Sequence, residues 1–327
     1  MNGQQTIGAE LEGALVDCIG RQVNSLEVMK GGFKSKEHPF EELTSDAGIS
    51  TFEAVSTICC NGRGIVRSLE RALSHVPHGL RAEFKTLPFG REVALAPKQR
   101  YEALRTALLR EHENGAKGVM WVAPWCCTQL QVGMPFMEGG RAPTPYTVNV
   151  MNIMNMIAPY ARLAAIRELK LEHQKGHLTC WLDWSRPERA PAPRWFHSVA
   201  EVLRYVAAIP KLVVQKDGVW VTAENMFSQL GDPGDEGAIW WLARLRGGYK
   251  TIEWRPGFPS MPVDKVGRLS DETLQMMEAF RQLVPEERIL VRGSNELCEL
   301  IGKLSEVTYL MPATLPTHEE WWRQFRD

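Results

Sequence analysis

An acid and a guanidinium stand two positions apart in residues 247–262, GGYKTIEWRPGFPSMP, as Glu253 and Arg255. The alternation of Thr, Ile and Trp between turn-forming residues predicts a short strand here. Successive side chains of a strand point to opposite faces, so Glu253 and Arg255 share one face while Ile252 and Trp254 share the other. The carboxylate could hold a divalent cation, and the guanidinium could hold a phosphate that the cation neutralises. The alternative is an ion pair at the surface.

Acids on predicted strands nearer the N-terminus are further candidates for binding a cation. Glu10 and Glu12 fall on one face of a predicted strand over 6–17, where like charges are destabilising unless a cation lies between them or the face is solvated. Glu53 lies among β-branched residues of another predicted strand, and Asp46 stands just before that strand. A lone charge on a partly apolar face is costly, which makes Glu53 a candidate cation ligand.

Two glutamines alternate onto one face of a predicted strand that begins at residue 126. Gln129 and Gln131 either face a polar site or face solvent, and the pattern leaves both open. The adjacent Cys126 and Cys127 splay apart on a strand, so we interpret them as small buried residues and not as a metal pair.

A predicted helix over 148–175 carries asparagines every three residues, of which Asn155 is our candidate for contact with substrate. Pro159 should kink or interrupt this helix. The loop SRPERAPAPR follows, rich in proline and arginine, in which Arg186 and Arg194 are candidates for binding an anion. A solvated basic loop is the alternative for these arginines.

The remaining elements follow from periodicity and turn residues. Apolar spacing predicts helices and strands between the candidate segments, and the Asp-Gly pair at 217–218 predicts a hairpin turn. Residues 30–45 read as a loop. The predicted helices cover 63–78, 98–113, 198–209, 271–284 and 294–304, with a hairpin over 211–222 and a strand over 237–246.

Composition limits the classes of function. The chain has 327 residues and a formal net charge of −1, which argues against a general nucleic-acid binder. Seven cysteines without CxxC pairs fit a reducing compartment. No apolar run approaches the ~20 residues of a membrane span, and the N-terminus is too polar for a signal peptide. We expect a cytoplasmic protein folded as a single domain over residues 1–327.

The order and spacing of five motifs resemble the glutamate–cysteine ligases, and most of all the carboxylate–amine ligases of the second glutamate–cysteine ligase family. The resemblance covers residues 5–285. The motifs are GxExE at 8–12, Asp46 seven residues before Glu53, the strand at 129–133, WWxxR at 240–244 and TxExR at 251–255.

The resemblance implies an α+β, glutamine-synthetase-like fold, in which a curved, largely antiparallel sheet forms an open funnel with helices packed outside. It implies ATP and Mg²⁺ (or Mn²⁺) as cofactors, and an amino-acid carboxylate and an amine as substrates. No nucleic acid or membrane partner is expected, and a homo-oligomer stays open. By the same resemblance, the metal ligands would be Glu10, Glu12, Glu53 and Glu253 with Asp46 as a further one, Arg255 would grip the γ-phosphoryl group, and Arg244 would assist it.

The chemistry implied is amide formation through an acyl phosphate, with a γ-glutamyl bond as one form of the product. Many relatives have HxH where this chain has Gln129 and Gln131, which implies weaker metal binding there or different substrates. Two other functions compete with the ligase. One is metal-dependent hydrolysis, and the other is a catalytically silent homologue that binds a nucleotide or an amino acid.

Overall fold

A computed structural model describes residues 5–46, 50–84, 99–111, 126–137, 142–172, 194–230 and 241–326. Arg186 lies outside these ranges, so its predicted role is not addressed by the structure.

Eight described strands form one sheet in which every pairing is antiparallel. The strand order is β2-β3-β4-β1-β6-β10-β9, and β5 pairs with β1 beside this path. These strands are β1 (Ile7–Asp17), β2 (Phe33–Lys34), β3 (Glu42–Ser45), β4 (Thr51–Val55), β5 (Leu80–Glu83), β6 (Cys127–Gly133), β9 (Ala243–Arg246) and β10 (Thr251–Pro259).

A separate hairpin joins β7 (Val213–Lys216) to β8 (Val219–Thr222). Its turn residues Asp217 and Gly218 both have positive φ, 50° and 81°, as the Asp-Gly pair predicts for a two-residue hairpin.

The described helices are α1 (Ser25–Met29), α2 (Gly62–Leu73), α3 (Gln99–Glu111), α4 (Pro145–Glu168), α5 (Val199–Ala207), α6 (Val263–Leu283), α7 (Asn295–Ser305) and α8 (His318–Arg326). None of the helices in the described part of the chain is long and apolar enough to cross a membrane.

The sheet has one apolar face, and helices cover it. Leu11, Leu130 and Trp254 lie on this face and are fully buried. α4 packs against β9 and β10, α2 packs against β4 and α6, and α8 packs against α4. Gly62 permits the close crossing of α2 and α6, since a Cβ at that position would collide with the carbonyl of Gly267. The acids and amides of the central strands therefore project from the opposite face.

Two predictions about elements were wrong. The predicted loop over 30–45 contains β2 and β3, which extend the sheet beyond β4. The last long helix of the core begins at Val263 and not near 271, because Pro262 supplies its N-terminal boundary.

Pro159 does not interrupt α4, although a proline inside a helix removes one hydrogen bond. The missing donor at position 159 would have bonded the carbonyl of Asn155, four residues earlier. In this structure the indole Nε1 of Trp321 on α8 donates to that carbonyl at 3.0 Å. The Trp321 side chain of α8 thus donates to the carbonyl that Pro159 leaves without a backbone donor.

The architecture is mixed α and β, with an antiparallel sheet that is not closed into a barrel among the described strands. This agrees with the α+β prediction. The funnel and the single domain over 1–327 stay predictions.

Candidate functional site

Five adjacent strands bring the candidate side chains onto one face of the sheet. Glu53 of β4 lies directly opposite Glu12 of β1, and Glu10 lies opposite Gln129 of β6. On the other side of β6, Gln131 lies opposite Glu253 of β10. Glu253 in turn pairs in register with Arg244 of β9. The face therefore runs from carboxylates, across two glutamines, to a cluster of arginines.

The acidic end of this face holds carboxylates that repel one another. Residues directly opposite on neighbouring strands have Cβ atoms about 5 Å apart, and like charges there are destabilising. Burial, with the charge of Asp46 next, raises the pKa of Glu12 to about 8. Burial and then the charges of Glu10 and Asp46 raise the pKa of Glu53 well above its usual value. Burial and the charge of Glu253 raise the pKa of Glu10.

Neutral donors hold the carboxylate of Glu12. The amide Nε2 of Gln129 donates to Oε1 at 2.8 Å, and the backbone N–H of Cys127 donates to Oε2 at 2.9 Å. The Cys127 thiol also lies 3.2 Å from Oε2. Burial and the charge of Glu12 raise the pKa of that thiol well above its usual value, so it stays protonated. Cys127 is therefore a hydrogen-bond donor at neutral pH and not a thiolate.

A second amide links Glu10 to the next strand. Gln131 donates from Nε2 to Oε1 of Glu10 at 3.0 Å, while its own Oε1 accepts from the hydroxyl of Thr251 at 2.9 Å. Both glutamines thus act as donors to acids, which answers the question of whether they face solvent or a polar site.

The basic end of the face is built around Glu253, which is fully buried. Nη2 of Arg244 donates to both carboxylate oxygens, at 2.7 and 2.8 Å. Nη1 of Arg246 donates to Oε2 at 2.5 Å, and Nη1 of Arg255 lies 3.3 Å from Oε1. The acid and arginine of the TxExR motif do share a face, as predicted, and they contact each other there.

Charge keeps this carboxylate ionised. Burial alone would raise the pKa of Glu253, but the guanidinium groups of Arg244, Arg246 and Arg255 together lower it below its usual value. Burial lowers the pKa of Arg244 to about 9, so that arginine also remains charged at neutral pH.

The environment of Glu253 differs from that of a metal ligand. Its oxygens accept from three cationic side chains, and their positive charge opposes the approach of a divalent cation. The resemblance assigns Glu253 to the metal, and that role stays a prediction; in its observed contacts Glu253 is the counter-ion of these arginines. The ion pair is buried, which excludes the surface ion pair considered from the sequence alone.

Glu10, Glu12 and Glu53 fit a hard cation in the type of their donors. Carboxylate oxygens are the ligands that Mg²⁺ prefers, and a bound cation would relieve the repulsion that raises their pKa values. In the ranges that the structure describes, no group of three or more His, Cys, Asp or Glu side chains is arranged as a ready coordination shell. Cation binding by these acids would therefore include movement of their side chains.

Other candidates lie apart from this face. Asn155 is used by the backbone of the edge strand β9, since its amide donates to the carbonyl of Ala243 at 2.8 Å and accepts from the same residue's N–H at 2.9 Å. Arg194 pairs with Glu201 at 3.1 Å and lies over the ring of Tyr205. These contacts do not test the predicted substrate contact of Asn155 or the predicted anion binding of Arg194, and both stay predictions.

The sequence analysis gave Arg246, Thr251 and Cys127 no role in the site, and Cys127 is half-buried where a buried residue was expected. Each stands two residues from a candidate on the same strand, namely Arg244, Glu253 and Gln129. Period-two alternation places them on the same face. That signal was present in the sequence and could have identified all three.

Two aromatic side chains meet at the rim of the face. Phe40, from the connection between β2 and β3, packs edge-to-face on Tyr249, from the turn between β9 and β10, with ring centroids 6.2 Å apart. Arg246 lies over the Tyr249 ring, 5.1 Å from its centroid. Three strands separate β3 from β10 in the sheet. The contact therefore brings together segments from opposite halves of the sheet.

Comparisons with protein-family models and with curated protein sequences gave no match. Among solved structures, the chain is similar to a bifunctional glutathione synthetase from Pasteurella multocida, with 12% identity and a TM-score of 0.45 over 98% of this chain and 47% of that one. It thus spans about half the length of that protein.

The chain is also similar to a glutamate–cysteine ligase from Francisella tularensis in complex with AMP, with 10% identity and a TM-score of 0.42 over 99% of this chain and 81% of that one. A third structure, GmaS without ligand, has 11% identity and a TM-score of 0.28 over 99% of this chain and 68% of that one. The proposal below rests on the residues of the site.

Proposed function

We propose that this protein is an ATP-dependent carboxylate–amine ligase that forms an amide bond through an acyl phosphate. The observation that carries the proposal is the division of one sheet face into an acidic end, at Glu10, Glu12 and Glu53, and an arginine end around Glu253. Phosphoryl transfer needs these two kinds of group side by side, because negative charge spreads over the phosphoryl oxygens as the bond to ADP breaks.

The acidic end would hold Mg²⁺ or Mn²⁺ through Glu10, Glu12 and Glu53, with Asp46 near enough to influence Glu12 and Glu53 by its charge. When bound there, the cation would neutralise ATP phosphates. Gln129 and Gln131 keep the carboxylates oriented in its absence, because each donates a hydrogen bond to one of them.

The arginine end would contact the group that is transferred. Glu253 fixes Arg244, Arg246 and Arg255 in one place, so their donors need little reorganisation when charge develops. Arg255 is the arginine that we assign to the γ-phosphoryl oxygens, with Arg244 beside it.

The reaction then has two balanced steps. A carboxylate oxygen of the acyl donor attacks the γ-phosphorus, and the bond from that phosphorus to ADP breaks. An amine next attacks the acyl carbon, and the carbon–oxygen bond to phosphate breaks, which releases inorganic phosphate and leaves an amide after loss of a proton. The protein supplies position and electrostatics and forms no covalent bond to the substrates.

The two alternative functions, a hydrolase and a silent homologue, differ from the ligase in what they require of this face. A hydrolase of peptide bonds would use the acidic end to activate water and would have no need of the arginine cluster. A hydrolase of phosphate esters could use both ends, but it would form no amide product. A silent homologue would bind ATP without turnover, yet the acids and arginines matched by the motifs remain side by side on one face.

A screen of amino-acid pairs with ATP and Mg²⁺ or Mn²⁺ tests the proposal. We expect ADP, phosphate and a product whose mass equals the two substrates less one water. Exhaustive chelation should abolish turnover. Release of AMP and pyrophosphate, or full turnover after chelation, would contradict the proposed chemistry.

A further inference from the structure

Arg162 is a buried charge with no assigned part in the chemistry. It lies on α4 with 2% of its surface exposed, and its Nε donates to the carbonyl of Gly257 at 3.2 Å. Burial lowers its pKa to about 10, which leaves the guanidinium charged at neutral pH. A buried charge is costly unless it is hydrogen-bonded. The carbonyl of Gly257 is one of the acceptors that offset this cost for Arg162.

Gly257 lies in an irregular part of β10. Trp254 pairs with Leu130 and Phe258 with Thr128, so β10 advances four residues where β6 advances two. The extra residues form a bulge that contains Arg255, Pro256 and Gly257. Gly257 has φ of +81°, a conformation that glycine adopts without strain from a side chain. Bulges of this kind change the direction in which a nearby side chain points.

The backbone around Arg255 is held on two sides. On the β9 side, the Arg255 N–H donates to the carbonyl of Leu242 at 2.7 Å. On the helix side, Arg162 holds the carbonyl of Gly257. Between these two contacts the Arg255 guanidinium reaches Glu253.

We propose that Arg162 is a positioning residue for Arg255: its hydrogen bond to Gly257 fixes the shape of the β10 bulge and thereby aims the Arg255 guanidinium across the site face. Its effect on catalysis rests on the proposed ligase function, whereas its effect on the position of Arg255 does not.

A second contact from the same helix has the same form. Asn155 stands seven residues before Arg162, which places both side chains on one face of α4. Asn155 bonds both backbone groups of Ala243, the residue before Arg244. One helix face therefore fixes the main chain beside both arginines that we assign to the phosphoryl group.

The test compares Arg162→Met, Arg162→Gln and Arg162→Lys with a control on the same helix. Asn149→Ala is that control, because Asn149 is equally buried and also holds backbone groups, but those of Arg288 and Leu290. All variants are assayed well below their Tm, so that lost stability does not appear as lost activity.

We expect kcat of Arg162→Met to fall roughly tenfold or more, since small misplacement of a catalytic group is costly. KM for ATP should change little. Arg162→Lys keeps a donor and should recover most of the lost kcat, while Asn149→Ala should lower Tm and leave kcat unchanged. If Arg162→Met does not fold, the Lys and Gln variants carry the test, and kcat should be higher for Arg162→Lys than for Arg162→Gln.

A second readout needs no activity. Crystal structures of a folded Arg162→Met or Arg162→Gln variant should show the Arg255 guanidinium moved from Glu253, and that of Asn149→Ala should show it in place. Arg255 unmoved, with wild-type kcat in the Gln variant, would overturn the proposal. If the wild-type protein itself has no ligase activity, the proposed function fails, and the position of Arg255 alone decides the role of Arg162.

Discussion

Glu253 lies between the arginine cluster and the acidic end of this face. Three guanidinium groups converge on its carboxylate, and β10 places it beside Gln131, which in turn bonds Glu10. Arginines repel one another, so a buried carboxylate among them lowers the free energy of gathering them. We therefore treat Glu253 as the residue that organises the arginines, and Glu10, Glu12 and Glu53 as those that would meet a cation.

Replacing Arg255 with lysine tests whether a planar guanidinium is required. Arg255→Lys keeps the charge but loses the forked pair of donors. We expect kcat to fall roughly 10²-fold, the scale for losing one preorganised electrostatic contact, with a much smaller change in ATP affinity. Arg288→Lys, at an exposed pair with Glu296, is the matched control and should leave kcat unchanged. A folded Arg255→Lys enzyme with wild-type kcat would remove Arg255 from the chemistry.

Two glutamine substitutions separate cation binding from arginine positioning. Without metal, Glu12→Gln should lower Tm modestly, because the new amide oxygen can still accept from Gln129 while the Cys127 N–H loses its acceptor. It should also reduce the rise in Tm that Mg²⁺ causes. Glu253→Gln should lower Tm, since it removes the counter-ion of buried cations, and should keep the rise with Mg²⁺. Differential scanning fluorimetry with and without Mg²⁺ measures both. The reverse pattern would restore Glu253 as the metal ligand.

At the scale of elements, α4 connects the core to the site. Asn149, Asn152 and Asn155 each bond the backbone of a different segment, at Leu290, Phe196 and Ala243 respectively. An asparagine can donate and accept at once, so it can hold both groups of one residue. The three asparagines, spaced three residues apart, therefore fix the main chain around α4.

The contact between Trp321 and α4 predicts a stability effect far from the site. Trp321→Phe leaves the Asn155 carbonyl without the indole donor, which should cost about 1–3 kcal/mol of unfolding free energy. Pro159→Ala should restore part of this loss, because alanine supplies the missing backbone N–H. Trp322→Phe is the matched control, as its indole donates to His318 at the surface. Urea unfolding of both single variants and the double variant gives the coupling, and strict additivity would contradict this account.

At the scale of the molecule, the two halves of the sheet meet at the rim through Phe40 and Tyr249. The segment that carries Phe40 is anchored by Glu41, whose carboxylate accepts from Arg71 and Ser68, each at 2.6 Å. Burial would raise the pKa of Glu41, but these hydrogen bonds and the Arg71 charge lower it overall.

The lowered pKa of Glu41 gives a prediction for stability against pH. A carboxyl whose folded pKa lies below its unfolded value contributes stability that is full above the unfolded value and is lost as pH falls through the folded one. Glu41→Gln should therefore be less stable than wild type at pH 7, and the difference should shrink as pH falls below about 4. Urea unfolding across this range measures it, with Glu70→Gln on the exposed side of α2 as the control. A difference that stays constant with pH would contradict the role of the ionised pair.

The alternation of side chains along each strand predicted which residues of the site share a face. Glu10 with Glu12, Gln129 with Gln131, and Glu253 with Arg255 share faces because each pair lies on one strand. The register between strands depends on pairing across long stretches of chain, such as Gln129 with Glu12, 117 residues apart. The hydrogen bond from Trp321 to Asn155 is likewise set by the packing of α8, so no local sequence pattern predicts it.

The most direct measurement follows the oxygen atoms of the acyl donor. The carboxylate substrate found in the amino-acid screen is labelled with ¹⁸O at both oxygens and turned over with ATP, Mg²⁺ and the amine. The acyl-phosphate route transfers one labelled oxygen to phosphate in each turnover, so mass spectrometry should find one ¹⁸O in the released phosphate and one in the amide. Unlabelled phosphate, or label in AMP with release of pyrophosphate, would contradict the central claim that this face activates a carboxylate by γ-phosphoryl transfer.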